Sequence, residues 1–379
     1  MIHQKPFAAL LAALSLIAGS AHAANGPLKV FILAGQSNMQ GHAKESTLVH
    51  LTMDPATKPL LDKIRDGEGK ARVFEDVQIA YLSGEGSGDE YKPTERKGAL
   101  TTGFGADTGK IGPELTFGIT MHEKLKQPIL LIKTAWGGKS LNTEFRPPGA
   151  GENPIADRRE TSGVFYQRMV EYVKKVLADP GQYHPAYDPK QGYEIAGMVW
   201  FQGFNDSVDR AAYPDGDMSA YSDLLAHLIR DVRKDLKAPA MPFVIGVIGM
   251  PGKVEDIRKY YEWKGIEKWF DSLTHFRKVM AAPASMPEFK DNVKAVYSEN
   301  YMDPELVRLQ WDSSQFSKSL AKLSKEEKEQ KMREKFSERE LKIIRECISN
   351  KAFHYFGSGK FFALAGQAFA EAMVELQAK

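Results

Sequence analysis

The sequence has little that would cross-link it covalently or attract a charged polymer. It contains one cysteine, Cys347, among 379 residues, which excludes an intrachain disulfide. We interpret Cys347 as a small apolar residue on a helix. Lysine and arginine number 51 against 49 acidic residues, so the formal net charge is only +2. Because no basic stripe is present either, nucleic acid is not expected as a partner.

Sequence signatures of bound metals and nucleotides are also missing. The histidines are scattered, and neither a His-x-x-x-His pair nor a carboxylate-rich cluster occurs. No Walker loop and no Gly-x-Gly-x-x-Gly fingerprint follows a predicted strand. The sequence therefore predicts no metal site and no cofactor.

The N-terminus has the pattern of a cleaved signal peptide. Lys5 precedes an apolar stretch over residues 7–18, and Ala21-His22-Ala23 fits a small-x-small cleavage site. The apolar stretch is too short for a membrane span, and no cysteine lies near the cleavage site for a lipid anchor. We therefore expect residues 1–23 to be removed, leaving a periplasmic or secreted protein that begins at Ala24 and has no membrane anchor.

The remaining chain alternates between strand and helix patterns. Apolar runs predict strands over Leu28–Ala34, Val77–Leu82, Pro128–Lys133, Ile195–Phe201, Phe243–Ile248 and Val293–Tyr297. Helical spacing of apolar residues predicts helices over Pro113–Lys126, Val164–Leu177, Tyr221–Leu236 and about Lys360–Leu376. Continuous apolar strands indicate a sheet covered on both faces, so the pattern predicts a doubly wound, three-layer α/β domain. Residues 83–112 are predicted to form a long loop and residues 300–346 a charged helical insertion with a solvated face.

The most informative motif is Gly35-Gln36-Ser37-Asn38-Met39, directly after the first predicted strand. A serine at this point has its hydroxyl at the carboxyl edge of the sheet, where open α/β sheets place their chemistry. Ser37 is therefore a candidate nucleophile, which needs a base to take its proton and N–H groups to stabilise an oxyanion.

Three later segments offer such groups. The pair Gly137-Gly138 follows a strand and can bring backbone N–H groups close to a ligand, although a plain tight turn would look the same. Asn205, after the strand that ends at Phe201, offers an amide donor or a helix cap. His354 lies on a predicted loop just before the C-terminal helix. A lone histidine is more often structural, but its position at the active edge favours a role as base.

The order of these four blocks resembles the SGNH hydrolase superfamily. Gln36-Ser37-Asn38-Met39, together with residues 111–118, resembles its sialate O-acetylesterase-like branch, which includes family 6 carbohydrate esterases. The resemblance spans roughly residues 27–376, with a gap over the charged insertion. It implies a flavodoxin-like α/β/α fold with a central parallel sheet, formed by residues 24–379 as one domain.

The resemblance also implies roles for individual residues in hydrolysis of acetyl esters on carbohydrates. Ser37 would be the nucleophile and His354 its base. The oxyanion hole would consist of the Ser37 N–H, the N–H of Gly137 or Gly138, and the Asn205 amide. Next to these groups, the residues expected to bind the acetylated carbohydrate are Gln36, Gln202 and Trp136.

Two carboxylates that are usual in this family are absent. The acid normally lies three residues before the histidine, where this chain has Lys351, with Asn350 one residue further back. Many members have a glutamate after the Gln-Gly pair, where this chain has Phe204.

The sequence leaves the activation of Ser37 open between a Ser-His dyad and a triad with a relocated acid. Asp206 is the nearest candidate acid in sequence, and a backbone carbonyl could orient His354 instead. Asp107 and Glu299 are weaker candidates on loops.

Two other functions remain possible at this point. The missing carboxylates would suit a non-catalytic glycan-binding protein on the same scaffold, and the fold alone does not exclude an esterase for a different ester. Aromatic side chains near the motifs that could stack on sugar rings are Trp136, Trp200, Phe204 and Tyr355, although core packing explains Trp200 better.

Overall fold

The computed structural model describes residues 26–86, 90–214, 216–262 and 264–378. The predicted signal peptide, residues 1–23, lies outside the described residues.

A central sheet of seven strands organises the molecule. Its strands are β1 (Leu28–Gly35), β3 (Phe74–Glu85), β4 (Lys92–Leu100), β6 (Ile129–Ala135), β7 (Tyr193–Phe201), β8 (Phe243–Val247) and β9 (Val293–Tyr297). Their order is β4-β3-β6-β1-β7-β8-β9, and every neighbouring pair is parallel except β3 and β4. A small second sheet pairs β2 (Ala43–Lys44) with β5 (Lys110–Ile111). All six predicted strands are confirmed.

Helices connect and cover the strands. They are α1 (Ser37–Gln40), α2 (Lys58–Ile64), α3 (Glu114–Leu125), α4 (Val164–Ala178), α5 (Phe204–Ser207), α6 (Ser219–Asp235), α7 (Val254–Ile257), α8 (Ile266–Ala281), α9 (Pro304–Ser319), α10 (Lys325–Lys335), α11 (Glu338–Glu346) and α12 (Gly359–Gln377). The four predicted helices correspond to α3, α4, α6 and α12. Within the described ranges, no helix is both long and apolar enough to cross a bilayer.

The two faces of the sheet are covered by different helices. Successive strand residues point to opposite faces, and on β7 the Trp200 indole donates to the Tyr221 hydroxyl of α6 at 3.4 Å. The next residue, Phe201, packs edge-on against Phe369 of α12 at 5.2 Å. The sheet therefore forms the middle layer of the expected three-layer α/β/α fold.

Residues 83–112 are not the continuous loop that the sequence predicted. Their middle forms β4, which pairs antiparallel with β3 at the edge of the sheet. The strand was missed because its sequence, Lys92 to Leu100, is polar and contains a proline and a glycine. Charged residues and proline are typical of edge strands, where they discourage pairing with a further chain.

The charged segment near residues 300–346 is helical, as predicted. It forms α9, α10 and α11, and no residue of α10 is buried. Ser324 and Ser337 begin α10 and α11 with capping boxes, each accepting from the backbone N–H three residues on. Local capping and side-chain pairs thus stabilise helices that bury little of their surface.

The register of the sheet brings distant segments together. At the carboxyl ends of the strands, Gly35 pairs with Ala135 on one side and with Phe201 on the other. The residues that follow β1, β6 and β7 therefore meet at one edge, which is the edge where the predicted site residues lie.

Candidate active site

Ser37 begins α1 immediately after the central strand β1. The close approach of β1 to the end of β7 requires glycine at position 35. Its φ is +155°, and a Cβ atom there would lie 2.1 Å from the Phe201 carbonyl oxygen. Ser37 is 7% exposed, and its hydroxyl makes no hydrogen bond to any described residue. An open hydroxyl at a helix N-terminus on the carboxyl edge suits attack on a bound ester.

The turn after β6 faces Ser37. A Cβ atom built on Gly137 would lie 3.9 Å from Ser37 Cβ and 3.1 Å from Gln40 Oε1. Gly138 has a φ of +73°, in the left-handed region that favours glycine. Among the described residues, the N–H groups of Ser37, Gly137 and Gly138 have no acceptor. The turn thus offers free donors beside the candidate nucleophile, the arrangement that an oxyanion hole requires.

Gln36 holds Asn205 next to this turn. Its amide oxygen accepts from the backbone N–H groups of Gly203 and Asn205, both at 3.2 Å, and its amide nitrogen donates to Asn205 Oδ1 at 3.0 Å. Asn205 Nδ2 donates to the Gly138 carbonyl at 2.9 Å. An amide nitrogen carries two hydrogens, so one donor of Asn205 remains for a ligand.

The residues predicted to bind substrate are in the interior. Gln36, Gln202 and Trp136 are each at most 1% exposed. Gln202 Nε2 donates to Gln36 Oε1 at 3.1 Å, and the Trp136 indole donates to the Tyr91 hydroxyl at 2.9 Å. The structure therefore assigns these side chains to support of the site rather than to contact with a ligand. Trp200 and Tyr355 are buried as well, so of the four candidate stacking aromatics only Phe204 reaches the surface.

Asp206 is not brought to His354. The carboxylate is fully buried and accepts from the Leu141 and Asn142 N–H groups at 2.8 and 3.0 Å. It also accepts from Gln202 Nε2 at 2.7 Å and from the Tyr213 hydroxyl at 3.0 Å. Burial raises the pKa of Asp206 to about 6 despite these four donors. Through these contacts Asp206 holds the segment after Gly137-Gly138, and among the described residues the predicted acid makes no hydrogen bond to His354.

The ring of His354 is oriented by Asn350. His354 Nδ1 lies 3.0 Å from Asn350 Oδ1, and the same oxygen accepts from the Lys351 N–H at 2.7 Å. Because an oxygen that accepts from a backbone N–H is the carbonyl end of the amide, Nδ1 carries the proton towards it. This tautomer leaves Nε2 with a lone pair, as a general base requires.

The other candidate acids have partners of their own. Asp107 pairs with Lys110 at 2.7 Å. Glu299 forms an ion pair with Arg277. Neither carboxylate has a hydrogen bond to His354 among the described residues.

The loop that carries His354 has a strained backbone and a firm anchor. Tyr355 and Phe356 have φ values of 51° and 56°, which is uncommon for bulky residues. The Tyr355 hydroxyl accepts from the Gly249 N–H at 2.9 Å and lies 3.0 Å from Ser298 Oγ. This anchoring offsets the strain and fixes the position of the imidazole.

Two contacts connect the His354 loop with the rest of the site. Asn38, next to Ser37, donates from Nδ2 to the Phe353 carbonyl at 3.1 Å. The Phe353 ring stacks on Phe204 with ring centres 5.5 Å apart. Phe353, the chain neighbour of His354, therefore contacts the chain neighbours of both Ser37 and Asn205.

A second histidine covers the ring of His354. The rings of His42 and His354 are stacked, with centroids 3.9 Å apart and planes within 5° of parallel. Burial, together with the positive charge of Lys110, lowers the pKa of His354 to about 4. Burial and the neighbouring His354 lower the pKa of His42 to about 3. Both imidazoles are therefore neutral at pH 7.

Sequence reasoning missed Asn350 and His42 as functional side chains. Asn350 lies four residues before His354, and only the turn between them makes its amide meet the ring. His42 follows Ser37 by five residues, but its contact with His354 joins opposite ends of the chain. Within the described residues, no three or more His, Cys, Asp and Glu side chains are grouped to hold a metal ion.

A family model described as "Carbohydrate esterase, sialic acid-specific acetylesterase" matches residues 27–285. The "Probable carbohydrate esterase At4g34215" of Arabidopsis thaliana is 24% identical over 241 residues, which cover 62% of this chain and 74% of the relative.

The crystal structure of Arabidopsis thaliana AT4G34215 has a TM-score of 0.46 at 16% identity and covers 92% of this chain and 98% of its own. XAC1771 from Xanthomonas citri, described as a carbohydrate acetylesterase, has a TM-score of 0.43 at 12% identity and covers 74% of this chain and 54% of its own.

Proposed function

The chain belongs to the family of carbohydrate esterases described as sialic acid-specific acetylesterases, and from this premise we propose that it is an exported serine esterase that removes O-acetyl groups from carbohydrates. Residues 1–23 direct export, and residues 24–379 form the SGNH hydrolase domain with its helical insertion. Ser37 is the nucleophile, and His354 is the base.

The observation that carries this proposal is the convergence of four segments at one edge of the sheet. Ser37 lies beside Gly137, the N–H groups of Gly137 and Gly138 have no acceptor among the described residues, and Asn205 donates to the same turn. The hydrogen bond from Asn38 to the Phe353 carbonyl draws His354 towards this group. A nucleophile, a base and oxyanion donors together support acyl transfer.

Acylation begins when His354 Nε2 takes the proton of the Ser37 hydroxyl and the oxygen attacks the acetyl carbonyl carbon. The carbonyl oxygen becomes an oxyanion, which accepts from the N–H groups of Ser37 and of Gly137 or Gly138 and from the Asn205 amide. When the tetrahedral intermediate collapses, His354 returns the proton to the sugar oxygen. The sugar leaves as an alcohol, and Ser37 carries the acetyl group.

Deacylation repeats these steps with water in place of Ser37. His354 takes a proton from water, whose oxygen attacks the acetyl carbonyl in the same oxyanion hole. Collapse breaks the bond to Ser37 Oγ, and His354 protonates that oxygen. Throughout, the Asn350 amide oxygen accepts the hydrogen bond of the Nδ1–H group, which stays protonated, and keeps Nε2 directed to the reacting atoms.

A substitution of Ser37 tests the proposal. We expect the wild type to hydrolyse p-nitrophenyl acetate and at least one acetylated glycan from a panel, releasing acetate. Ser37→Ala removes the oxygen that forms the acyl-enzyme, so kcat should fall roughly 10³-fold or more. The matched control is Ser319→Ala, which alters an exposed serine on α9 and should leave both rates unchanged.

The same assays can contradict the proposal in two ways. A wild-type protein that binds glycans but releases no acetate from any substrate would be a binding protein on this scaffold. A wild type that hydrolyses p-nitrophenyl acetate but no acetylated glycan would be an esterase for another class of ester. Equal rates for Ser37→Ala and the wild type would exclude Ser37 as the nucleophile.

A further inference from the structure

A polar cavity opens beside the proposed oxyanion hole. Its volume is about 330 Å³, and Gly138 and Asn205 form part of its wall. The rest of the wall includes Thr143, Glu144, Arg158, Thr161 and Asp209. A volume of this order suits a small organic ligand, and the shared wall places such a ligand next to the group that Ser37 attacks.

Among the described residues, the side chains of the cavity wall carry hydroxyl, amide and charged groups, and none is aromatic. Asp209 accepts hydrogen bonds from both terminal nitrogens of the Arg158 guanidinium, one of them at 3.0 Å. Glu144 Oε2 accepts from the Ser140 N–H at 2.9 Å, while its other oxygen is 3.9 Å from Lys139 Nζ. The charged groups of the wall are thus already paired, Arg158 with Asp209 and Glu144 with Lys139, so the described wall offers no unpaired cation to an anionic ligand and suits one rich in hydroxyl groups.

We propose that this cavity is the subsite for an uncharged sugar unit that bears the acetyl ester. This inference rests on the proposed function and narrows its substrate class. The sugar hydroxyls donate to Glu144, Asp209 and the Thr161 hydroxyl oxygen and accept from Arg158, while the acetyl carbonyl lies in the oxyanion hole. An acetylated sugar acid finds no unpaired cation in the described wall and is a poorer substrate.

A bulky side chain in the cavity tests the subsite separately from the chemistry at Ser37. Thr161 is exposed at the rim, so Thr161→Trp should block the cavity without disturbing the core. We expect kcat/KM for acetylated xylose or glucose to fall roughly tenfold or more. Hydrolysis of vinyl acetate, whose leaving group is too small to need the subsite, should be unchanged. The matched control is Thr52→Trp, because Thr52 is also an exposed threonine that donates to the carbonyl three residues before it.

The results distinguish failure of the subsite from failure of the proposed function. Equal loss on the neutral sugar ester and on vinyl acetate, or no loss on either, would overturn the subsite while leaving the esterase intact. Wild-type kcat/KM for an O-acetylated sialic acid should be lower than for the neutral sugar esters, and the reverse order would overturn the preference for an uncharged sugar. A wild type inactive on vinyl acetate and all sugar esters would overturn the function itself.

The stacked histidines carry a second and independent inference. His42 follows Gly41, at which a Cβ atom would lie 2.1 Å from Gly112 Cα, so this close backbone contact fixes the start of the histidine's loop. The charged groups that act on His42 are Lys110, Asp107 and Lys133. Lys110 also acts on His354.

The geometry points to His42 as a positioning residue for His354. Asn350 holds one ring nitrogen of His354, and the face of His42 limits tilting of the ring about that hydrogen bond. During the reaction His354 becomes a cation, and the π-face of a neutral ring stabilises a cation above it. The stack thereby compensates in part for the missing carboxylate.

Two substitutions of His42 test this role. His42→Ala removes the stacking face, so we expect kcat on vinyl acetate to fall about tenfold while KM stays unchanged. His42→Phe keeps a flat ring and should recover most of the loss. The control is His275→Ala, which changes an exposed histidine on α8. An unchanged kcat for His42→Ala would contradict the proposal, as would an equal loss for His42→Phe.

Discussion

At the scale of single residues, the partner of the His354 ring is the neutral amide of Asn350, and this determines the expected pH dependence. Only neutral His354 can act as base, and burial together with Lys110 lowers its pKa to about 4. We therefore expect kcat/KM to rise with pH around 4, below the range of an unperturbed histidine, and to be level by pH 6.

Asn350→Asp would supply the carboxylate that the sequence lacks. A negative charge at hydrogen-bond distance favours the imidazolium, so the acid limb of the kcat/KM profile should move up by roughly one pH unit or more. Measuring the profile of both proteins checks this. An unmoved limb would show that Asn350 does not contact the base in solution.

Asp206 is expected to affect the Gly137-Gly138 turn and not the base. Its two oxygens accept from four donors, so the amide nitrogen of Asp206→Asn would face N–H or O–H groups that it cannot accept from. We expect a loss of stability of about 1–3 kcal/mol by urea unfolding and a lower kcat, with the acid limb unmoved. A shift of that limb would instead restore Asp206 as the partner of His354.

The sequence was sufficient to find the candidate site residues that follow strands, but not the side chains that hold these residues in place. Ser37, Gly137 and Asn205 each come just after a predicted strand, so the rule that strand ends meet at one edge places them together. Asn350 could not be predicted to bind the ring, because its reach depends on the turn in which the His354 N–H donates to the Lys351 carbonyl. Buried amides such as that of Gln36 were predicted to bind substrate, because the sequence alone does not show which side chains are buried.

At the scale of elements, a buried ion pair between β6 and α3 stabilises the edge of the sheet that carries the candidate site. Lys133 and Glu114 are both fully buried, with their charged atoms 2.7 Å apart. Lys133 also donates to the carbonyls of Gln40 in α1 and Phe104 in the loop before β5. The lysine in an otherwise apolar strand did not indicate that Glu114 is its partner. In the same way, the polar sequence of β4 did not indicate a strand at the edge of the sheet.

Breaking this ion pair from one side should cost more than replacing both partners. Lys133→Met leaves the Glu114 carboxylate buried and unpaired, so we expect a loss of about 3–5 kcal/mol in urea unfolding. Adding Glu114→Leu removes that charge and should recover part of the loss. If the double variant were less stable than Lys133→Met, the unpaired Glu114 carboxylate would not be the cause of the lost stability.

At the scale of the whole molecule, the sheet joins parts of the chain that lie more than 300 residues apart. Ser37 and His354 come from opposite ends, and the Asn38–Phe353 and His42–His354 contacts hold those ends together. The alternation of strands and helices was sufficient to predict the three layers. It could not predict side-chain contacts across such distances, because these depend on loop geometry that periodicity does not encode.

Export of the whole molecule can be tested at the predicted cleavage site. When the full-length chain is expressed in a bacterium with two membranes, we expect a periplasmic or secreted protein whose N-terminal sequence begins at Ala24. Ala23→Tyr places a bulky side chain where a small one is required, so the precursor should accumulate. His22→Tyr alters the unconstrained position between the two alanines and should be processed normally. A mature protein that keeps residues 1–23, or an Ala23→Tyr variant processed like the wild type, would contradict cleavage at this site.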